Sequence, residues 1–133
     1  MEEWPLIRLT LAQFLDRLAS ERPTPGGGSV AALTGALAAS LGRMVCGYTL
    51  GRKKYIEVGP AIRGMAGRLE QVEKLLRAMV DEDAAAYGAL SEAFKLEKSD
   101  PARAATIRKA AATAAVVPLT TACVCRQVLN ELA

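Results

Sequence analysis

Apolar residues recur every three or four positions along most of this chain. Short Pro/Gly-rich or charged breaks divide the pattern into four helical stretches. Thr10 and Gln13 form a Thr-x-x-Gln capping box, and Leu11, Phe14, Leu15 and Leu18 then predict a short amphipathic helix ending near Ser20. A second helix is expected from about Ser29, placed as its N-cap, to Tyr48. Small residues line two of its rows, Ala31, Gly35, Ala39 and Gly42 beside Gly28, Ala32, Ala36 and Ser40. Such rows let helix axes approach closely. Val30, Leu33, Leu37, Leu41, Met44 and Val45 make the rest of its girth apolar, so it belongs inside something larger. The third helix is expected over 60–96, with Pro60 in its first turn. Its seam reads Ile62, Met65, Leu69, Val72, Leu76, Met79, then position 83, then Ala86 and Leu90. Asp100 and Pro101 open a fourth, alanine-rich helix over 101–132, with a kink expected at Pro118. No stretch alternates as a strand does. The pattern predicts an all-α helical bundle with two long helices, in one domain spanning 1–133.

Composition narrows the chemistry. Aromatic residues make up 5% of the 133 and histidine is absent. That removes the commonest general base, the Ser-His and Cys-His nucleophile pairs, and most zinc sites. Cys46, Cys123 and Cys125 are odd in number and lack framework spacing, so they read as packing residues of a reducing, cytoplasmic protein; no metal is expected. The net charge of +3 is too small, and too poor in interleaved aromatics, for a nucleic-acid surface. The start, Met1, Glu2, Glu3 and Trp4, is acidic and unlike a signal peptide. Residues 26–50 carry Arg43 as their one charge. Near mid-bilayer it would cost about 2.5 kcal/mol or more, so a buried helix is expected there and no membrane span.

Three features carry candidate chemistry. Asp83 interrupts an otherwise apolar seam. Desolvation and the neighbouring Asp81 and Glu82 would suit it to general acid or base work, unless it is a structural carboxylate paired with Arg43, Arg103 or Arg108. Asp81 falls on the opposite side of the stripe and is expected to be solvated. Arg52, Lys53 and Lys54 beside Tyr55 form either a solvated loop or a grip on an anionic ligand. Gly26, Gly27, Gly28 and Ser29 form either a tight turn or a place where backbone meets ligand. The last is neither a Walker A nor a dinucleotide fingerprint.

Several segments occur together in one known family: Pro23-Thr24-Pro25-Gly26-Gly27-Gly28-Ser29-Val30, Thr49-Leu50-Gly51-Arg52-Lys53-Lys54-Tyr55, Val80-Asp81-Glu82-Asp83-Ala84 with Tyr87, and Arg103, Ile107 and Val117-Pro118-Leu119. In their order and rough spacing the chain resembles the cyclodeaminase/cyclohydrolase family over nearly its whole length. The resemblance implies an all-helical homodimer that binds a tetrahydrofolate derivative between helices, with no cofactor, no nucleic acid and no membrane. It implies Asp83 and Asp81 as catalytic residues. It implies Gly26, Gly27, Gly28, Ser29, Lys53, Lys54, Tyr55 and Arg43 as substrate-binding residues, facing one cleft within a protomer or across the dimer. Methenyltetrahydrofolate cyclohydrolase is the favoured activity, because a chain standing alone has no transferase to supply a formimino compound. Formiminotetrahydrofolate cyclodeaminase and a non-catalytic folate-binding helical dimer are the alternatives. Tyr48 departs from the smaller or amide residue expected there. Family members usually continue for several dozen residues with further helices, so a domain that ends at Ala133 is expected to lack C-terminal helices of the bundle and with them part of the cleft.

Overall fold

The computed structural model describes residues 5–133; the acidic start, Met1 to Trp4, lies outside them. Among the described residues the order is a 3-10 turn Leu6–Arg8, α1 Leu11–Leu18, α2 Gly27–Leu50, a 3-10 segment Lys53–Val58, α3 Gly59–Lys95 and α4 Arg103–Leu132. No strand occurs among them. The all-α bundle read from the apolar periodicity is therefore the observed architecture.

The core is the seam where α2, α3 and α4 meet, and it is built in layers seven residues apart. A methyl group at Gly42 would come within 2.5 Å of Leu132 on α4 and 2.9 Å of Leu69 on α3. At Gly35 it would meet Cys125 at 2.7 Å and Leu76 at 3.0 Å. At Gly28 it would overlap the carboxylate of Asp83. Leu69, Leu76 and Asp83 thus descend α3 as Gly42, Gly35 and Gly28 descend α2, so the two helices run antiparallel. The glycines give up side-chain volume so that the large α3 residues can press against α2 backbone. Leu69 and Leu76 are fully buried there.

The helix starts differ from the expected ones for local reasons. Helix α2 begins at Gly27 with Gly26 in the N-cap position, and no side chain of that residue caps it. Ser29 lies two residues into the helix and its side chain turns inward, so the free N–H groups must find acceptors elsewhere. Helix α4 starts at Arg103 because a turn precedes it: Asp100 Oδ1 accepts the Ala102 N–H at 2.8 Å and the Asp100 carbonyl accepts the Arg103 N–H. Helix α4 then runs through Pro118 without interruption. Thr121, Val124 and Val128 bury the face that follows. The Thr10–Gln13 capping box forms as read, although α1 ends at Leu18.

Two surface features bear on function. Leu37, Leu41, Met44, Val45 and Tyr48 lie exposed along the outer side of α2. Helices α2 and α4 are also long and apolar enough to cross a membrane by length and composition. Arg43, in mid-α2, pairs with the buried Glu73 of α3 at 3.4 Å. At the far end of the seam Arg68 of α3 clamps Glu131 of α4 at 2.7 Å, and this hydrogen bond holds the Glu131 carboxyl below its ordinary range.

Candidate functional site

Asp83 is the last member of the α3 seam series, and it falls where α2 begins. Two glycines at the head of α2 leave N–H groups without side-chain caps. Asp83 supplies the missing acceptor from another helix: its Oδ2 accepts the Ser29 N–H at 2.9 Å. A carboxylate is favoured at that end of a helix dipole. The Ser29 hydroxyl lies 2.8 Å from the Val80 carbonyl, to which it donates, and 3.3 Å from Asp83 Oδ2. Ser29 itself is fully buried. Asp83 Oδ1 accepts no hydrogen bond from any described residue.

In the Gly35 layer Leu76 and Cys125 fill the space between the three helices, and beside the Gly42 layer a cavity of about 350 Å³ remains. In the outer layer Asp83 does not fill the space, and a cleft of about 340 Å³ opens. Its lining comes from Pro23, Thr24, Gly26, Gly27 and Gly28, from Asp83 and Tyr87 of α3, and from Ala114 and Pro118 of α4. Pro118 is the α4 residue seven before Cys125, and so continues the layer spacing. As proline it offers no N–H to the Ala114 carbonyl one turn back. The Gly27 and Gly28 N–H groups precede the first intrahelical bond of α2, which runs from Val30 N–H to the Gly26 carbonyl. The cleft therefore holds one carboxylate, backbone donors and a phenol, within otherwise apolar walls. Next to it lies a second cavity of about 460 Å³, which shares Pro23, Thr24 and Tyr87 with the first and adds Arg17, Asp81, Ser91 and Lys95.

The structure brings together Asp83, Gly26, Gly27, Gly28 and, beneath them, Ser29, and leaves the other expected residues outside this cleft. Ser29 is enclosed, so its hydroxyl meets Asp83 and Val80 rather than open space. Asp81 is half-buried rather than solvated. It accepts the Leu6 N–H, which anchors the N-terminal turn, and faces the second cavity. Arg43 is committed to Glu73 and Glu70, about 22 Å along α2 from Gly28 at a helical rise of ~1.5 Å per residue. Lys53, Lys54 and Tyr55 lie in the 3-10 segment beyond the opposite end of α2, whose 24 residues span about 36 Å. Lys54 sits over the Tyr55 ring at 5.4 Å. Within one protomer these residues do not share the Asp83 cleft. Of the arginines considered as partners of Asp83, Arg43 is taken by glutamates and Arg103 donates to the Leu96 and Phe94 carbonyls, and no ion pair to Asp83 is seen among the described residues. Tyr48 is exposed on the outer side of α2. Sequence reading missed Tyr87 as a wall residue, although it stands one helical turn from Asp83 on the same face. Thr24, Ala114 and Pro118 were also missed; only the seven-residue layering would have singled out Pro118.

A family model described as formiminotransferase-cyclodeaminase matches residues 10–133. A methenyltetrahydrofolate cyclohydrolase of Methylorubrum extorquens is 42% identical over 125 residues, which cover 91% of this chain and 60% of that protein. The formimidoyltransferase-cyclodeaminase of Gallus gallus is 34% identical over 91% of this chain and 23% of its own length. Among solved structures, formiminotetrahydrofolate cyclodeaminase from Thermotoga maritima superposes with a TM-score of 0.84 at 30% identity, covering 94% of this chain and 60% of that one. The chain thus spans about three fifths of the length of the cyclohydrolase that it matches.

Proposed function

The chain belongs to the formiminotransferase-cyclodeaminase family, and from that premise we propose that it hydrolyses 5,10-methenyltetrahydrofolate to 10-formyltetrahydrofolate. The observation that carries this reading is Asp83, the one carboxylate lining the cleft, whose Oδ1 accepts no hydrogen bond among the described residues. The bridging carbon of the substrate is part of an amidinium and is electrophilic already, so the reaction needs no cofactor to activate it. It needs a water aimed at that carbon and a base to take the proton of that water.

Asp83 Oδ1 is placed to accept that proton as the water oxygen bonds to the bridging carbon. The Gly27 and Gly28 N–H groups are free to hold the same oxygen. The tetrahedral carbon then lies between two nitrogens. Asp83 returns the proton to the 5-nitrogen, the bond between that nitrogen and the carbon breaks, and the hydroxyl proton leaves to solvent as the formyl carbonyl forms. The negative side chain also favours the cationic substrate over its neutral product. The 42% identity to a cyclohydrolase supports this activity over cyclodeamination.

The reading includes a homodimer. The exposed apolar row on α2 has no partner within the protomer, and a second copy is the proposed cover. Antiparallel pairing of two α2 helices would carry Lys53, Lys54 and Tyr55 of one copy toward the cleft of the other. There the cations would suit the carboxylates of the folate tail. The test is the fall of methenyl absorbance with purified protein, against the spontaneous rate. Turnover lost in Asp83→Asn while folding persists is the expected result; wild-type turnover in that variant would remove Asp83 from the mechanism.

A further inference from the structure

We infer that Ser29 is a positioning residue for Asp83, and that it divides the work of the two carboxylate oxygens. Oδ2 is the anchored oxygen and Oδ1 is the oxygen that takes and returns the proton. This rests on the hydrolytic reading above.

The geometry is one-sided. The Ser29 N–H donates to Oδ2 at 2.9 Å, and the hydroxyl, whose one hydrogen goes to the Val80 carbonyl at 2.8 Å, lies 3.3 Å from the same oxygen and fixes the backbone that anchors it. Both groups come from a residue with no exposed surface. Oδ1 lies against the bare Cα of Gly28, a residue that lines the cleft, and has no donor among the described residues. A carboxylate free to rotate about its last bond would present either oxygen, or neither, at the angle a water requires. Anchoring Oδ2 removes that freedom and holds Oδ1 in one place against Gly28, at the wall of the cleft. Ser29 is held in turn. Its hydroxyl, 2.8 Å from the Val80 carbonyl, ties it to the turn of α3 that precedes Asp83. Anchor and base thus ride on the same two helices, and a shift of α2 against α3 would register at the oxygen that does chemistry. The hydroxyl is too enclosed to touch a ligand, so its influence passes through Asp83.

The experiment compares Ser29→Ala, Ser29→Thr and Ser29→Cys with wild type, after circular dichroism has established which variants fold. Ser29→Ala keeps the backbone donor and loses the hydroxyl; the expected result is a fall of about tenfold in kcat with KM unchanged, the scale of one lost hydrogen bond. Ser29→Thr restores the hydroxyl and should recover most of that loss. Ser29→Cys, a weaker donor, should fall between them and serves if the alanine variant does not fold. A second readout is independent of turnover: the side-chain carboxyl carbon resonance of Asp83, assigned by its absence in Asp83→Asn. It should move in Ser29→Ala and return in Ser29→Thr. An unchanged kcat and an unmoved resonance in Ser29→Ala would overturn the inference, as would a loss of kcat in the threonine variant equal to that in alanine. A moved resonance in a protein that does not consume the methenyl substrate would keep the anchor and reject the hydrolytic reading.

Discussion

Replacing Gly28 with alanine puts a methyl group where the Asp83 carboxylate now lies. The added carbon would overlap Oδ1 and Cγ and come within 2.7 Å of Oδ2. Asp83 cannot keep its place, and the backbone of α2 cannot easily retreat, because the Gly35 and Gly42 layers fix it against α3. The carboxylate must swing out by more than an ångström and release the Ser29 N–H. Losing a hydrogen bond to a charged group costs about 1.5–3 kcal/mol. Exchanging glycine for alanine in a helix returns up to about 1 kcal/mol. The net expectation is a destabilisation of about 0.5–2 kcal/mol, or roughly 2–8 °C in melting temperature for a domain of this size. Catalysis should suffer far more, since a misplacement of this order costs about 100-fold. Circular dichroism on heating reads the first quantity and decay of methenyl absorbance the second. Gly67→Ala is the control: nothing lies within 4 Å of that site, so it should gain stability and leave turnover alone. In a double-mutant cycle Gly28→Ala should add little to Asp83→Asn, because it acts through the same group. A Gly28→Ala protein with wild-type melting and turnover would refute the placement of Asp83 against the head of α2.

Gly35→Ala should cost about 1–3 kcal/mol by overpacking the layer that Leu76 and Cys125 fill, and Cys125→Ala should recover part of it in denaturant titrations. Glu131→Gln should lower the melting temperature at neutral pH. Its carboxyl is depressed by Arg68, so wild type holds this contribution above the ordinary glutamate value and loses it as pH falls through the lowered one. The gap between wild type and variant should therefore close in acid and stay open at neutral pH; a constant gap would remove the clamp from the ledger. Charged substitution of Leu37 and Leu41 on the open side of α2 should shift the protein to monomer in sedimentation without unfolding it, and a monomeric wild type would sink the proposed dimer.

What the chain disclosed by itself depends on whether a property is local. The capping box at Thr10 and Gln13 needs only four residues, and it formed as read. The α3 seam needs only periodicity, and Leu69, Val72, Leu76 and Met79 are buried. Asp83 stood out for the same reason, as a charge in an apolar series. The start of α2 was not legible because its cap is not local. Ser29 has the side chain of an N-cap, yet that side chain points into the core and the acceptor arrives from Asp83, 54 residues away. Whether the basic run shares a cleft with the glycines was not legible either: within one protomer the 24-residue α2 is a rigid spacer that holds Lys53 away from Gly28, so a shared cleft needs a second copy.

The same layering explains why chemistry would sit here and not elsewhere along the seam. A glycine on α2 leaves room for one side chain from α3 at each level. At the Gly35 level Leu76 and Cys125 close the space; at the Gly42 level a cavity of about 350 Å³ remains, but its one carboxylate, Glu131, is clamped by Arg68. At the outermost level the α3 side chain is aspartate, the α4 residue is a proline, and helix α2 has just begun. Of the two levels that leave space, this one has backbone N–H groups ahead of the first intrahelical bond and a carboxylate oxygen with no donor among the described residues. Asp83→Leu would test this directly. By the pattern of the Gly35 layer it should fill the cleft, leave the Ser29 N–H without its acceptor and abolish turnover. Folding should persist because the packing rule is kept. If that variant fails to fold while Asp83→Asn folds, the N–H acceptor outweighs seam packing at this level, and the cleft is not simply an unfilled layer of the core.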